Sequence, residues 1–174
     1  MVGQKTENEE IDALAGELAN NGIISVEGYL SEQLCDEIRE EVKTALDDGT
    51  YEYADDDMTG GEMMAASRTI VNERSGEDDD GMLDIFNIDE SIEEIRKIKH
   101  DDFISSIIDR ASEDEFEPEN INIYYNRSVG STRGYHFDSY NTQYKAFVYL
   151  TDVPDKSYGP YSYIKGSHKR PYIR

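Results

Sequence analysis

The chain has 174 residues, 37% of them apolar and 32% charged, enough for one hydrophobic core beneath an unusually polar surface. Asp and Glu number 39 against 17 Lys and Arg, a formal charge of -22, which excludes a general nucleic-acid binder and argues against docking on anionic membranes. There is no apolar run of the roughly 18 residues that a bilayer span needs, and the single cysteine, Cys35, excludes an internal disulfide or a multi-cysteine zinc site.

The opening MVGQKTENEE lacks the apolar stretch of a secretory signal, so the expected compartment is the cytoplasm. Thirteen Tyr and five Phe are the material of a folded core, not of a disordered acidic chain. A solvated acidic surface suited to a high-salt cytoplasm, where counterions screen self-repulsion, accounts for the excess acid, and an acidic mesophile protein is the plainer alternative. The charge is uneven: residues 1–119 hold 36 acids and 9 bases, residues 120–174 only 3 acids and 8 bases. The expected organisation is one domain over 1–174, with a mainly helical acidic part at 1–118 and a β-type part at 119–174.

In chain order, Ile11, Leu14 and Leu18 mark a helix over Glu10–Ala19, ended by Asn20-Asn21-Gly22. Ile23, Ile24 and Val26 read as a short strand. Ser31 is an N-cap residue for a helix from Glu32 to about Leu46, its stripe formed by Leu34, Ile38, Val42 and Leu46, with Cys35 beside it as a small packed residue. Residues 47–82 read as loop, with one β-like stretch at Arg68–Val71. Neither Asp55–Asp57 nor Asp78–Asp80 has the spacing of a calcium loop, so both are read as solvated faces.

Leu83–Phe86 is a candidate strand, and Ser91–Ile98 and Asp101–Ala111 are candidate helices with His100 exposed at their junction. From Glu119 the period changes to two. Asn120–Asn126, Tyr135–Asp138, Tyr144–Thr151 and Ser162–Ile164 read as strands separated by turns, which suggests a barrel or sandwich.

One triplet carries chemistry. In a strand, His136 and Asp138 project from the same face, where an imidazole and a carboxylate span adjacent positions of an octahedral metal. A strand histidine paired with a carboxylate for structural reasons yields the same triplet.

The ordered set Gly22–Ser31, Tyr135-His136-Phe137-Asp138, Lys145–Val153 and Gly159–Lys169 resembles the phytanoyl-CoA dioxygenase family, from about residue 13 to the end of the chain. Its most specific member, Gly159-Pro160-Tyr161-Ser162-Tyr163-Ile164-Lys165-Gly166-Ser167-His168-Lys169, is similar to that family's G-P-x-x-x-I-P-G-S-H-K segment. The resemblance implies an α+β chain whose core is a double-stranded β-helix (jelly-roll, cupin-like), incomplete at its C-terminus and preceded by N-terminal helices. It implies a dioxygenase using iron(II), 2-oxoglutarate and O₂ to hydroxylate a small molecule, with His136 and Asp138 as metal ligands. Tyr149 falls where the family often has an aromatic lining the cosubstrate pocket. Tyr124 and Lys145 are further candidates for cosubstrate contact, core packing and a surface role being their respective alternatives. Because Asp138 keeps the carboxylate that halogenating relatives lose, hydroxylation is the expected outcome.

The family's distal His, and the Arg or Lys that pairs with the far carboxylate of 2-oxoglutarate, have no counterpart before Arg174. His168 precedes the distal-ligand position and sits beside Lys169 and Arg170, an unfavourable place for a cation. The expectation is therefore the front part of a longer protein. The competing readings are a non-catalytic β-helix binding module and an oxygen-independent cupin-type isomerase, the latter weakened by the shortage of imidazoles.

Overall fold

A computed structural model describes residues 6–75, 79–127, 134–136, 139 and 141–169, and the chain is α+β. In order come α1 (Glu7–Asn21), α2 (Glu32–Asp47), β1 (Glu52–Tyr53), α3 (Gly60–Met64), β2 (Ile70–Glu73), β3 (Leu83–Phe86), α4 (Glu93–Lys99), α5 (Asp102–Ala111) and β4 (Ile123–Tyr125), with short 3₁₀ turns between some of them. Contacts divide the backbone into two compact units that interleave along the sequence: Met1–Cys35, Asp101–Glu117 and Tyr144–Arg174 form one, Asp36–His100 and Pro118–Gln143 the other.

The first unit is built on α1 and α5. Thr6 and Glu9 satisfy each other's backbone N–H groups in a capping box, which starts α1 three residues earlier than the apolar spacing indicates. Gly22 ends it with φ 75°, donating its N–H to Leu18 O at 2.7 Å. Asp101 caps α5 by accepting from the Phe103 and Ile104 N–H groups at 2.9 and 3.1 Å. Ile11 and Ala15 pack on Ile107, and Leu14, Leu18, Ile24, Phe103 and Ala111 close around them. Ile24 thus serves this core from a segment that is not a strand, which corrects the β reading of Ile23–Val26. Arg110 bridges to Asp12 at 2.8 Å on the surface, a pair worth well under about 1 kcal/mol there.

The second unit holds a sheet of order β1-β2-β3-β4, parallel between β1 and β2 and antiparallel in the next two pairings. All four residues of β3 are buried, as suits an interior strand covered on both faces. Ile70 and Phe86 pair across β2 and β3 and pack with Met63 from α3, the helix that Thr59 and Glu62 cap at its start. Within residues 47–82, β2 overlaps the β-like stretch Arg68–Val71, while β1 and α3 form where the sequence reads as loop. Asn87, in the left-handed region at φ 53°, turns the chain after β3, and its side-chain amide donates to Met63 O at 2.7 Å.

After Tyr125 no described residue belongs to a strand. This corrects Tyr144–Thr151 and Ser162–Ile164, whose apolar alternation is β-like but which join no ladder of described residues. Tyr135–Asp138 lies partly outside the described residues, as Phe137 and Asp138 are not among them.

Two tyrosines set the alkaline limit of this fold. Burial, aided by Asp101, pushes the Tyr29 hydroxyl up to about 12, and burial, aided by Glu41, does the same for Tyr51. Because the folded state holds the proton more tightly, this stabilisation is complete below pH 10 and is lost as pH rises towards 12. Tyrosinate absorbance during an alkaline titration should show a late component that shrinks in Tyr29→Phe and again in Tyr51→Phe.

Candidate functional site

The His136 ring is exposed, and its Nδ1 lies 2.7 Å from Gly134 O. A carbonyl only accepts, so Nδ1 is the donor in this contact. That is the arrangement of metal-binding histidines, in which a backbone carbonyl fixes the tautomer and the other nitrogen ligates. The chemistry of His136 fits a metal site. Asp138, its intended co-ligand, lies outside the described residues. Among the described residues no group of three His, Cys, Asp or Glu side chains is arranged to hold a metal ion.

Tyr124, read from the sequence as a cosubstrate contact, is on β4 in the unit that contains His136. Its exposed ring lies 5.3 Å from the Arg74 guanidinium carbon, a cation–π contact. Arg74 is held in turn by Asp84, through two bonds of 2.7 and 2.8 Å, and by Asp79 at 2.6 Å. Hydrogen bonding to Asp84 is the largest cause raising the Arg74 pKa further above its ordinary value, against the opposing effect of burial. Asp79 is only 4% exposed and adopts φ 61°. One residue of the Asp78–Asp80 triplet is thus a buried structural acid, not part of a solvated face. Because the three charges stand five and ten residues apart across a hairpin, no local period announced the cluster.

Lys145 and Tyr149 belong to the other unit. Lys145 is exposed, and the Tyr149 hydroxyl accepts the Tyr161 N–H at 2.7 Å. Phe147, between them, stacks on the Tyr161 ring with centroids 4.3 Å apart.

The Gly166–Lys169 segment, the most specific part of the sequence resemblance, works on α1. Gly166 N–H donates to Asn21 O at 2.8 Å, His168 Nε2 donates to Ala19 O at 3.2 Å, and Lys169 Nζ reaches Asn20 Oδ1 at 3.4 Å. The last turn of α1 has no basic residue of its own, so His168 and Lys169 bring hydrogen-bond donors and positive charge to its carbonyl end from the far end of the chain. The other ring nitrogen of His168, Nδ1, would lie 2.2 Å from a Cβ placed on Gly22. Nε2 is thus engaged by the helix end, and the Nδ1 side of the ring packs against Gly22.

No family model, curated protein or solved structure matches this chain.

Proposed function

We propose that the chain is part of an iron(II)- and 2-oxoglutarate-dependent dioxygenase that hydroxylates a small molecule, with its C-terminal residues contributing to a double-stranded β-helix. The observation that carries this reading is the His136 ring, whose Nδ1 donates to Gly134 O, the kind of backbone contact that orients metal-binding histidines. His136 and Asp138 would hold the metal, which when bound supplies the oxidising chemistry by coupling O₂ reduction to decarboxylation of 2-oxoglutarate. Tyr124, on β4 in the unit that contains His136, is a candidate for orienting the cosubstrate, as the resemblance also makes Lys145 and Tyr149. An uncharged small molecule suits a chain of this acidity better than a polyanion.

In the full-length protein, adding iron(II) and 2-oxoglutarate under anaerobic conditions should produce a weak visible charge-transfer band, absent from His136→Ala and Asp138→Ala at unchanged folding. A full-length protein without the band overturns the reading. A second reading, a β-helix binding module without turnover, is favoured by one observation: His168, the imidazole nearest in sequence to a third ligand, is engaged by α1. Decarboxylation of 2-oxoglutarate that depends on added iron, assayed without any other substrate, separates the two, since only the enzyme supports it.

A further inference from the structure

Asn21-Gly22 is the only Asn-Gly step in the sequence. After an asparagine, glycine leaves the next backbone nitrogen the freest approach to the side-chain carbonyl carbon, because it has no side chain of its own to obstruct it. The fold holds this step in a geometry that cannot react. Asn21 is the last residue of α1, and helical backbone turns the Gly22 nitrogen away from the Asn21 side chain. The Gly22 N–H donates to Leu18 O at 2.7 Å, and the Asn21 side-chain amide donates to Glu17 Oε1 one turn back at 3.3 Å. From the far end of the chain, Gly166 N–H holds the Asn21 carbonyl at 2.8 Å, and His168 Nε2 holds that of Ala19 at 3.2 Å. The Gly166–Lys169 segment is therefore a strap across a reactive step.

We infer that Asn21 is a site of spontaneous deamidation whose rate is set by opening of this strap. When the strap lifts and the last turn of α1 frays, the Gly22 nitrogen loses its proton to hydroxide and attacks Asn21 Cγ. The new N–Cγ bond closes a cyclic imide. The side-chain nitrogen takes a proton from water and leaves as ammonia, which returns the hydroxide. Water then adds to one of the two imide carbonyls, and the C–N bond at that carbon breaks. The net change consumes one water and releases one ammonia, with no oxidant or reductant. Breakage at the backbone carbon leaves isoaspartate, with the chain running through the former side chain; breakage at Cγ leaves aspartate in an ordinary backbone. Either product sets a negative charge at the carbonyl end of α1, where the helix dipole opposes it. Isoaspartate also inserts a carbon into the backbone, so the Gly22 N–H no longer meets Leu18 O and the strap loses the Asn21 carbonyl from its place.

Incubating the intact chain in mildly alkaline buffer, well below its melting temperature, tests this. Peptide mapping by mass spectrometry locates the new carboxylate, and carboxyl methylation specific for isoaspartate identifies the product. Asn21 should be converted in the wild-type chain, and more slowly than in a synthetic peptide of residues 17–26, which has neither the helix end nor the strap. His168→Ala should speed conversion about fivefold, the factor that one hydrogen bond of ordinary strength is worth. Lys169→Ala, which removes only the longer bond to Asn20 Oδ1 at 3.4 Å, should speed it less and serves if His168→Ala does not fold. Gly22→Ala separates opening from chemistry. Its methyl lifts the strap, so the Gly166 amide exchanges faster, yet the same methyl crowds the attacking nitrogen and Asn21 should stay intact. Conversion in the wild-type chain as fast as in the peptide, or none once the peptide is fully converted, overturns the inference. So does a rate that neither His168→Ala nor Lys169→Ala raises.

Discussion

Gly22→Ala should be among the most damaging small substitutions in this chain, costing about 3 kcal/mol and lowering the melting temperature by roughly 6–12 °C. Two effects combine. The backbone at Gly22 has φ 75°, a conformation that costs an L-residue about 1–2 kcal/mol. The added methyl would also sit 2.2 Å from His168 Nδ1 and 2.4 Å from the Tyr163 hydroxyl, so the Gly166–Lys169 segment must lift off the helix end. Gly28→Ala isolates the first effect: its φ is 68° but nothing lies within 4 Å of the new methyl, and about 1 kcal/mol is expected. His168→Ala in the Gly22→Ala background should recover part of the loss, because it removes the steric conflict and leaves the backbone strain. Hydrogen exchange at the Gly166 amide, bonded to Asn21 O, should accelerate in Gly22→Ala and remain slow in Gly28→Ala. Equal losses in the two alanine variants would mean that the segment does not rest on α1 as described.

Asp84→Ala should cost about 3 kcal/mol, with little dependence on salt. The Arg74 side chain is 19% exposed and that of Asp84 8%, so removing the carboxylate strands a poorly solvated guanidinium whose remaining anionic partner is Asp79. Breaking a buried pair on one side typically costs about 3–5 kcal/mol, and the retained Asp79 places the expectation at the lower end. Asp36→Ala is the contrast. The Asp36–Arg39 pair sits on the surface of α2 with both side chains well exposed, and its loss should be worth under about 0.5 kcal/mol and vanish in high salt. Chemical denaturation of the two variants in low and molar salt reads both expectations together. Release of Arg74 should also unseat Tyr124, which rests beneath it, and the fluorescence of that ring is a second readout.

The helices were legible because their determinants are local. Apolar residues at three- and four-residue spacing, Ser31 and Asp101 at N-cap positions and Gly22 past a C-terminus all act within one or two turns of themselves. Leu83–Phe86 was legible for a similar reason, a short run with Leu83, Ile85 and Phe86 between turn residues. The strands expected at Ile23–Val26, Tyr144–Thr151 and Ser162–Ile164 were not found because a β-type pattern fixes which side chains share a face but supplies no partner for the backbone. The reverse error fell on β1, which forms within residues 47–82 because it finds β2 as a neighbouring ladder despite Gly- and Asp-rich surroundings, whereas β2 itself overlaps the β-like stretch Arg68–Val71.

The candidate site divides the same way. The sequence by itself singled out His136 and Asp138, since two-residue spacing on an extended chain is a local property, and it separated the acidic front of the chain from its Tyr-rich remainder. Only the tertiary structure decided that His136 gives its Nδ1 proton to Gly134 O, that Asp79 is a buried partner of Arg74, and that His168 holds the end of a helix nearly 150 residues away. Each of those outcomes depends on which atom a polar group meets once water is displaced. That pairing is set by segments distant in sequence, so no periodicity along the chain encodes it.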